Sequence, residues 1–366
     1  MSTTQSPNAS ASGLEGVVVA DTLASDVDGA RGRLVIAGHD VETLAFTHTF
    51  AQTAALLWRR PEEGLERALG EARARAFALL PRLGDALGAP DGMDALRAST
   101  AHLGADFDGP EALTGALAVL ASAWARLRRG ERPVAPDPSL GHARDYLRMA
   151  RGRDPSEPEA RALDTYLVTV SDHGLNASTF TARVVTSTGS DGVSAVVAAL
   201  GALKGPLHGG APGPVLSMLD AIGEPDGAVP WLEAELARGR RIMGLGHRIY
   251  RVRDPRAAVF ERAVEALEAH GVATGRLPLA RAVERAAVGI LRERHPSRAL
   301  HANVEFYTAV LLDSLGLDRE AFTPTFAVGR VAGWWAHILE QRAVGRLIRP
   351  ASRYVGPGGA SPSPAP

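Results

Sequence analysis

The order of apolar and polar positions along the chain is that of a helical protein. Apolar residues recur at three- and four-residue spacing over 51–58, 61–80, 92–103, 111–129 and 159–170, with Gly and Pro between the runs. Each run predicts a helix with one face in a core. Only 14–19 (LEGVVV) and 33–36 (RLVI) have the composition of strands. No segment repeats at a fixed period. The expected class is mostly all-α, a two-domain helical fold with a small β element near the N-terminus. Residues 1–12, rich in Ser and Thr, and 356–366, rich in Gly, Ser and Pro, are expected to be disordered.

Helix ends can be read from capping chemistry. Asp254-Pro255 reads as an N-cap and a first-turn proline, opening a helix to about His270 that Gly271 ends. Thr323-Pro324 gives the same signal for a helix to about Gln341, and Asn303 can cap one over 304–315. A further helical pattern, 215–222, follows a turn that contains prolines.

Composition narrows the function. The 366 residues, 45% of them hydrophobic, suffice for a large core and for two domains. Forty basic and 41 acidic residues are interspersed along the whole length, which opposes a nucleic-acid binder. With no cysteine there is no disulfide, thiolate nucleophile or Cys-ligated metal. The N-terminus lacks the basic and apolar regions of a secretory signal, and no apolar run is long enough to cross a bilayer. A cytoplasmic protein is expected. There is no phosphate loop, no Gly-x-Ser-x-Gly elbow and no His-Glu-x-x-His motif.

Of eleven histidines, three sit in loops of small residues: His173 in SDHGLN, His208 in GPLHGGA and His247 in GLGHR. Glycines there allow a ligand close to the backbone. Arg330 lies within FAVGRVAGWWAHIL, among apolar and Gly neighbours. A guanidinium in such a place needs an anion, either a structural Asp or Glu or a substrate carboxylate held bidentately. Arg256, in the first turn after Asp254-Pro255, offers a second cation near His247 and a helix N-terminus, and Arg349 a third. Glu305 falls at the second position of its helix, where the dipole favours a carboxylate whether or not it has any other task. Three histidines and three arginines suit a small substrate with two carboxylates and a carbonyl to polarise.

Seven stretches go further: GLEGVVVADT, SDHGLNASTFTARVVTST, GALKGPLHGGA, MGLGHRIYRVRDPRA, HANVEFYTAVLLDSLGL, FTPTFAVGRVAGWWAHILEQ and RLIRPASRYVGP. In order and in approximate spacing they resemble the citrate synthase family, from about Gly13 to Pro357. The resemblance implies a helical homodimer, with a large domain (13–215 and 322–355) and a small one (216–321) enclosing the active site. It implies condensation of acetyl-CoA with oxaloacetate and hydrolysis of the citryl-CoA formed, with the oxo acid binding first. Propionyl-CoA as substrate, giving 2-methylcitrate, is the nearest alternative, and a weakly catalytic binder of CoA or oxo acids is another. Carried over by position, His208 stabilises the enolate, His247 polarises the oxaloacetate carbonyl and Glu305 is the base. His173, Phe326, Arg256 and Arg330 meet oxaloacetate, and Arg349 reaches the partner subunit's site. The backbone of Gly244, Leu245 and Gly246 meets the CoA adenine. No metal or bound redox cofactor is expected. Two positions depart from the family: Glu305 stands where Asp is usual, and Pro212 follows HGGA where Asn is common.

Overall fold

Two helices of this protein are buried around nearly their full circumference rather than on one face, and they form its centre. They are seen in a computed structural model that describes residues 13–357, apart from 15, 210–211, 248, 273–274, 296–299, 353 and 355. Among the described residues fifteen α-helices follow one another: α1 (Val41–Thr47), α2 (Phe50–Trp58), α3 (Leu65–Leu79), α4 (Gly92–Thr100), α5 (Pro110–Arg128), α6 (His142–Arg151), α7 (Glu157–Val170), α8 (Ala177–Ser187), α9 (Gly192–Leu203), α10 (Pro212–Ile222), α11 (Ala228–Ala237), α12 (Pro255–Ala269), α13 (Leu277–Arg294), α14 (Val304–Ser314) and α15 (Phe322–Val344). The central pair is α5 and α15. Helix α5 packs on α3, α4, α6 and α15, while α15 also meets α2, α7, α8 and α9. Helix α12 lies against α14 and α7, and α11 against α13. No described helix is long and apolar enough to cross a membrane.

Capping explains many boundaries. Asp254 accepts the Arg256 N–H at the start of α12, and Asn303 accepts the Glu305 N–H at the start of α14. Two expected starts differ. Helix α15 begins at Phe322, not after Thr323, because the Thr323 hydroxyl donates instead to Gly209 O (2.9 Å), tying α15 to the loop before α10. Helix α10 begins at Pro212, so its prolines lie in the first turn, where a missing N–H costs nothing.

The β element is a three-stranded antiparallel sheet, β1 (Ser25–Asp28), β2 (Arg33–Ile36) and β3 (His39–Asp40), in the order β1-β2-β3. The strand expected at 33–36 is present; the one expected at 14–19 is not. Gly13, Leu14 and Gly16 have φ of 101°, 60° and 77°, outside the extended region, and a turn joins Val17 N to Leu14 O (3.1 Å). Its valines line a cleft edge or face outward instead of pairing. The expected disordered ends, 1–12 and 356–366, fall outside the described residues except for Gly356 and Pro357.

Close approach of α15 to the end of α7 depends on glycine. A Cβ at Gly333 would stand 2.2 Å from Ser171 O, and one at Gly329 2.6 Å from Val170 Cγ2. These glycines flank Arg330 and bring it to the α7 terminus. Gly333→Ala is therefore expected to lower stability by about 1–3 kcal/mol, because backbone must move to admit the methyl. Gly201→Ala, in α9, meets nothing within 4 Å and is expected to raise stability by about 0.5–1 kcal/mol. Thermal or urea unfolding of the two variants checks both signs.

Candidate active site

A cleft of about 880 Å³ opens where the loops after α7, α9 and α11 meet the N-termini of α12, α14 and the first turns of α15. Its lining includes His173, His208, His247, Arg256, Glu305, Phe326 and Arg330. Seven residues singled out from sequence, spread over 158 positions (173 to 330), thus share one cavity. Gly246 also lines it, whereas Gly244 and Leu245 stand behind. Arg349 is exposed and lies outside this lining.

The histidines are held neutral and their tautomers are set by backbone donors. Nδ1 of His247 accepts the N–H groups of Ile249 (3.0 Å) and Tyr250 (3.1 Å). The single proton of the neutral ring must then sit on Nε2, which lies 3.4 Å from Arg256 Nη2. Nε2 of His208 accepts the Ser178 N–H (3.3 Å) and lies 2.8 Å from Ser178 Oγ, so its proton sits on Nδ1. Ser178 Oγ is itself held by the Trp334 Nε1–H (3.1 Å). Burial lowers both rings to about 4, assisted by Arg256 beside His247 and by Arg330 near His208. His173 is pushed well below the ordinary imidazole value by burial, and then by Arg256 and Arg330. Its Nε2 lies 3.0 Å from Tyr250 Oη.

The two arginines differ. Arg256 is clamped by Asp254, Nε to Oδ1 at 3.0 Å and Nη2 to Oδ2 at 2.8 Å, both side chains buried. Arg330 is 1% exposed and has no such partner. Its Nε donates to Val170 O (2.6 Å), its guanidinium carbon stands 4.6 Å over the Phe326 ring, and no described carboxylate pairs with it. Phe326 and Arg330 are four apart on α15, which puts them on one face. Burial lowers Arg330 to about 10, against the distant pull of Asp172 and with repulsion from Arg256, so it remains a cation at neutral pH. Of the two readings of Arg330, a structural ion pair is thus absent among the described residues. A buried cation facing a cavity with an empty fork calls for an anionic ligand.

Glu305, at the α14 N-terminus, lines the same cavity and makes no side-chain hydrogen bond to a described residue. Burial pushes its carboxyl up to about 7, with Arg256 opposing and Asp254 adding to the rise. Neutral donors, a free guanidinium and a carboxyl of raised pKa can stabilise an enolate, bind a carboxylate and remove a weakly acidic proton.

Sequence reasoning read Asp254 only as a cap and missed Ser178, Tyr250 and Trp334. The acid in Asp254-Pro255-Arg256 was the available signal for the clamp. Ser178 and Trp334 gave none, since both sit in ordinary helical patterns. The Gly244–Gly246 backbone is partly committed within the chain. Gly244 O accepts the Asn303 N–H (2.9 Å), Gly246 N donates to His301 O (2.8 Å), and Gly246 O accepts from Asn303 Nδ2 (3.0 Å). The groups of Leu245, which bridges Ala302, lie outside those bonds.

Comparison with known proteins gives one consistent result. The family described as citrate synthase, C-terminal domain, matches residues 13–351. The chain is 38% identical to the citrate synthase of Haloferax volcanii, over 94% of this chain and 95% of that protein. It is 40% identical to the 2-methylcitrate synthase of Mycobacterium tuberculosis, over 94% of this chain and 90% of that one. The citrate synthase of Thermoplasma acidophilum, solved as a ternary complex with carboxymethyl coenzyme A and oxaloacetate, superposes with a TM-score of 0.84. That match has 29% identity and covers 96% of this chain and 97% of the other. With the family matched over residues 13–351, and with this all-α architecture, the protein belongs to the citrate synthase family of acyltransferases.

Proposed function

We propose that this cleft condenses acetyl-CoA with oxaloacetate and hydrolyses the resulting citryl-CoA to citrate and CoA. The observation that carries the reading is the buried guanidinium of Arg330, which faces the cavity with no carboxylate among the described residues paired to it. An oxaloacetate carboxylate fills that need bidentately, on the Phe326 side of the cleft. The second carboxylate meets Arg256 and His173. The Nε2–H of His247 then polarises the keto carbonyl. Glu305 takes a proton from the acyl methyl while the Nδ1–H of His208 donates to the enolate oxygen as charge develops there. The nucleophilic carbon attacks the polarised carbonyl, and water cleaves the thioester of the adduct.

The proposed assembly is a cytoplasmic homodimer. The segment from 13 to 215 with 322 to 355 acts as the large domain and 216–321 as the small one, closing over the oxo acid before the acyl-CoA site is complete. Arg349 reaches the partner subunit's cleft, a reading supported by its exposure and its place outside its own subunit's cleft lining. The Leu245 N–H and C=O, outside the hydrogen bonds that flank its bridge to Ala302, meet the CoA adenine. Propionyl-CoA is the second reading, favoured by the 40% identity to a 2-methylcitrate synthase. One methylene separates the substrates, a discrimination of about 1–3 kcal/mol. Turnover of the two thioesters with oxaloacetate distinguishes them.

Three outcomes are expected. Arg330→Ala weakens oxaloacetate binding by about 2–5 kcal/mol, roughly 30-fold or more, with little change in unfolding temperature. Calorimetry and a thermal scan test this together, and loss of the fold with retained affinity would refute it.

Glu305→Gln lowers kcat roughly 100- to 10,000-fold at nearly constant oxaloacetate affinity. In the unaltered protein the ionised base is lost as pH falls through about 7, so kcat/KM falls on the acid side of that value. The histidines, at about 4, do not shape the profile above pH 5. Steady-state rates between pH 5 and 9 decide the point, and a flat profile would exclude Glu305 as the base.

Arg330→Ala and Arg349→Ala subunits, each inactive as homodimers, are expected to recover activity when unfolded and refolded together. Random pairing leaves one intact site in each mixed dimer, about a quarter of normal activity. No recovery would place Arg349 at its own subunit's site or at none.

A further inference from the structure

Tyr250 is 1% exposed and packs against both His173 and His247, yet the reaction described above gives it no part. Its backbone N–H donates to His247 Nδ1 (3.1 Å), and its Oη stands 3.0 Å from His173 Nε2. The ring centroids are 4.8 Å from His247 and 5.6 Å from His173, and the Arg256 guanidinium carbon stands 5.9 Å over the ring. One residue therefore touches both histidines, through its main chain on one side and its side chain on the other.

The loop that carries Tyr250 is held from outside by the small sheet. The turn between β1 and β2 accepts the Arg251 N–H on Gly29 O (2.9 Å). Gly29 has no room for a side chain, since a Cβ there would stand 2.4 Å from Ile249 O. Gly32, at φ 65°, meets Val252 Cγ2 in the same way at 2.5 Å. Asp28 Oδ1 fixes this turn by accepting the N–H groups of Ala30 (3.1 Å) and Arg31 (2.9 Å). Residues 249–252 thus rest on a rigid turn far from them in sequence.

We propose that Tyr250 is a positioning residue for both histidines, donating its hydroxyl to Nε2 of His173 and its N–H to Nδ1 of His247, and that the Gly29 turn holds it in place. The inference rests on the proposed function, in which both histidines meet the oxo acid. With Nε2 of His173 accepting, its ring proton sits on Nδ1, the one nitrogen left to donate to a carboxylate. Burial keeps the phenol well above its ordinary range, so it remains a donor. Without the hydroxyl, His173 is free to turn and to present an acceptor where the substrate needs a donor.

The test uses the full chain as wild type, Tyr250→Phe and Gly29→Ala. Oxaloacetate is titrated calorimetrically, and KM is measured for each substrate. Tyr250→Phe is expected to weaken oxaloacetate binding and raise its KM roughly tenfold, and Gly29→Ala to act in the same direction. KM for acetyl-CoA at saturating oxaloacetate should stay within about twofold. Nitrogen-15 spectra of the imidazoles supply a readout that a merely structural role would not move: His173 as the Nδ1–H form in wild type and as a mixture in Tyr250→Phe. Unchanged or tighter oxaloacetate binding in Tyr250→Phe, or an Nε2–H His173 in wild type, overturns the proposal. If Tyr250→Phe does not fold, unchanged affinity in Gly29→Ala overturns it. Wild type that takes up no oxaloacetate overturns the proposed function and this inference with it. Normal uptake by both wild type and Tyr250→Phe overturns this inference alone.

Discussion

The buried carboxylate of Asp254 joins the parts of the cleft that carry charge. It accepts the N–H of Arg256 and two guanidinium hydrogens of the same residue, and its second oxygen also accepts the N–H of Val304 (3.2 Å). The first set starts α12 and fixes the arginine; the last ties the start of α14 to the start of α12. Arg256 and Glu305 thereby leave two helix N-termini that share one anion. Removing that anion would strand a buried guanidinium and release the α14 terminus together, which makes the site's charges interdependent rather than additive.

The same anchoring explains why two arginines of similar burial serve different ends. Arg256 is neutralised from behind by Asp254, so it presents a directed hydrogen-bond edge more than a free charge. Arg330 keeps its charge, softened by the Phe326 face, the Val170 carbonyl and the more distant Asp172. A dicarboxylate entering the cleft therefore finds one uncompensated cation and one compensated donor. That asymmetry gives such a ligand an orientation.

Much of this was legible in the sequence, and the limits have physical causes. Helices were readable because caps and periodicity are local, as Asp254 and Asn303 show. The stretch 14–19 misled because its valines have strand composition, while the φ values of Gly13, Leu14 and Gly16 decide otherwise. Thr323-Pro324 misled because the threonine hydroxyl was claimed by Gly209, a partner 114 positions away. The three cleft histidines were legible as a residue type in loops of small residues, and the cleft arginines and Glu305 by their places in helices. Whether Arg330 had a protein partner was not, since that depends on which carboxylates the fold brings near. The histidine tautomers were equally out of reach, being set by backbone N–H groups whose direction only the folded loop defines.

Burial then does two opposite things with one cause. It disfavours every charged form, so it raises the Glu305 carboxyl to about 7 and lowers His208 and His247 to about 4. In water an imidazole is the stronger base; in this cleft the order is inverted. In the proposed reaction a proton taken by Glu305 would therefore stay on Glu305 and not pass to His208, whose Nδ1–H would remain a neutral donor. The inversion also requires the cleft to keep its cations on arginine, because a protonated histidine at that place would draw Glu305 back toward its ordinary acidity and weaken it as a base. Neutral histidines and a strengthened carboxylate are thus two consequences of one burial, and the positive charge stays on arginine in spite of it.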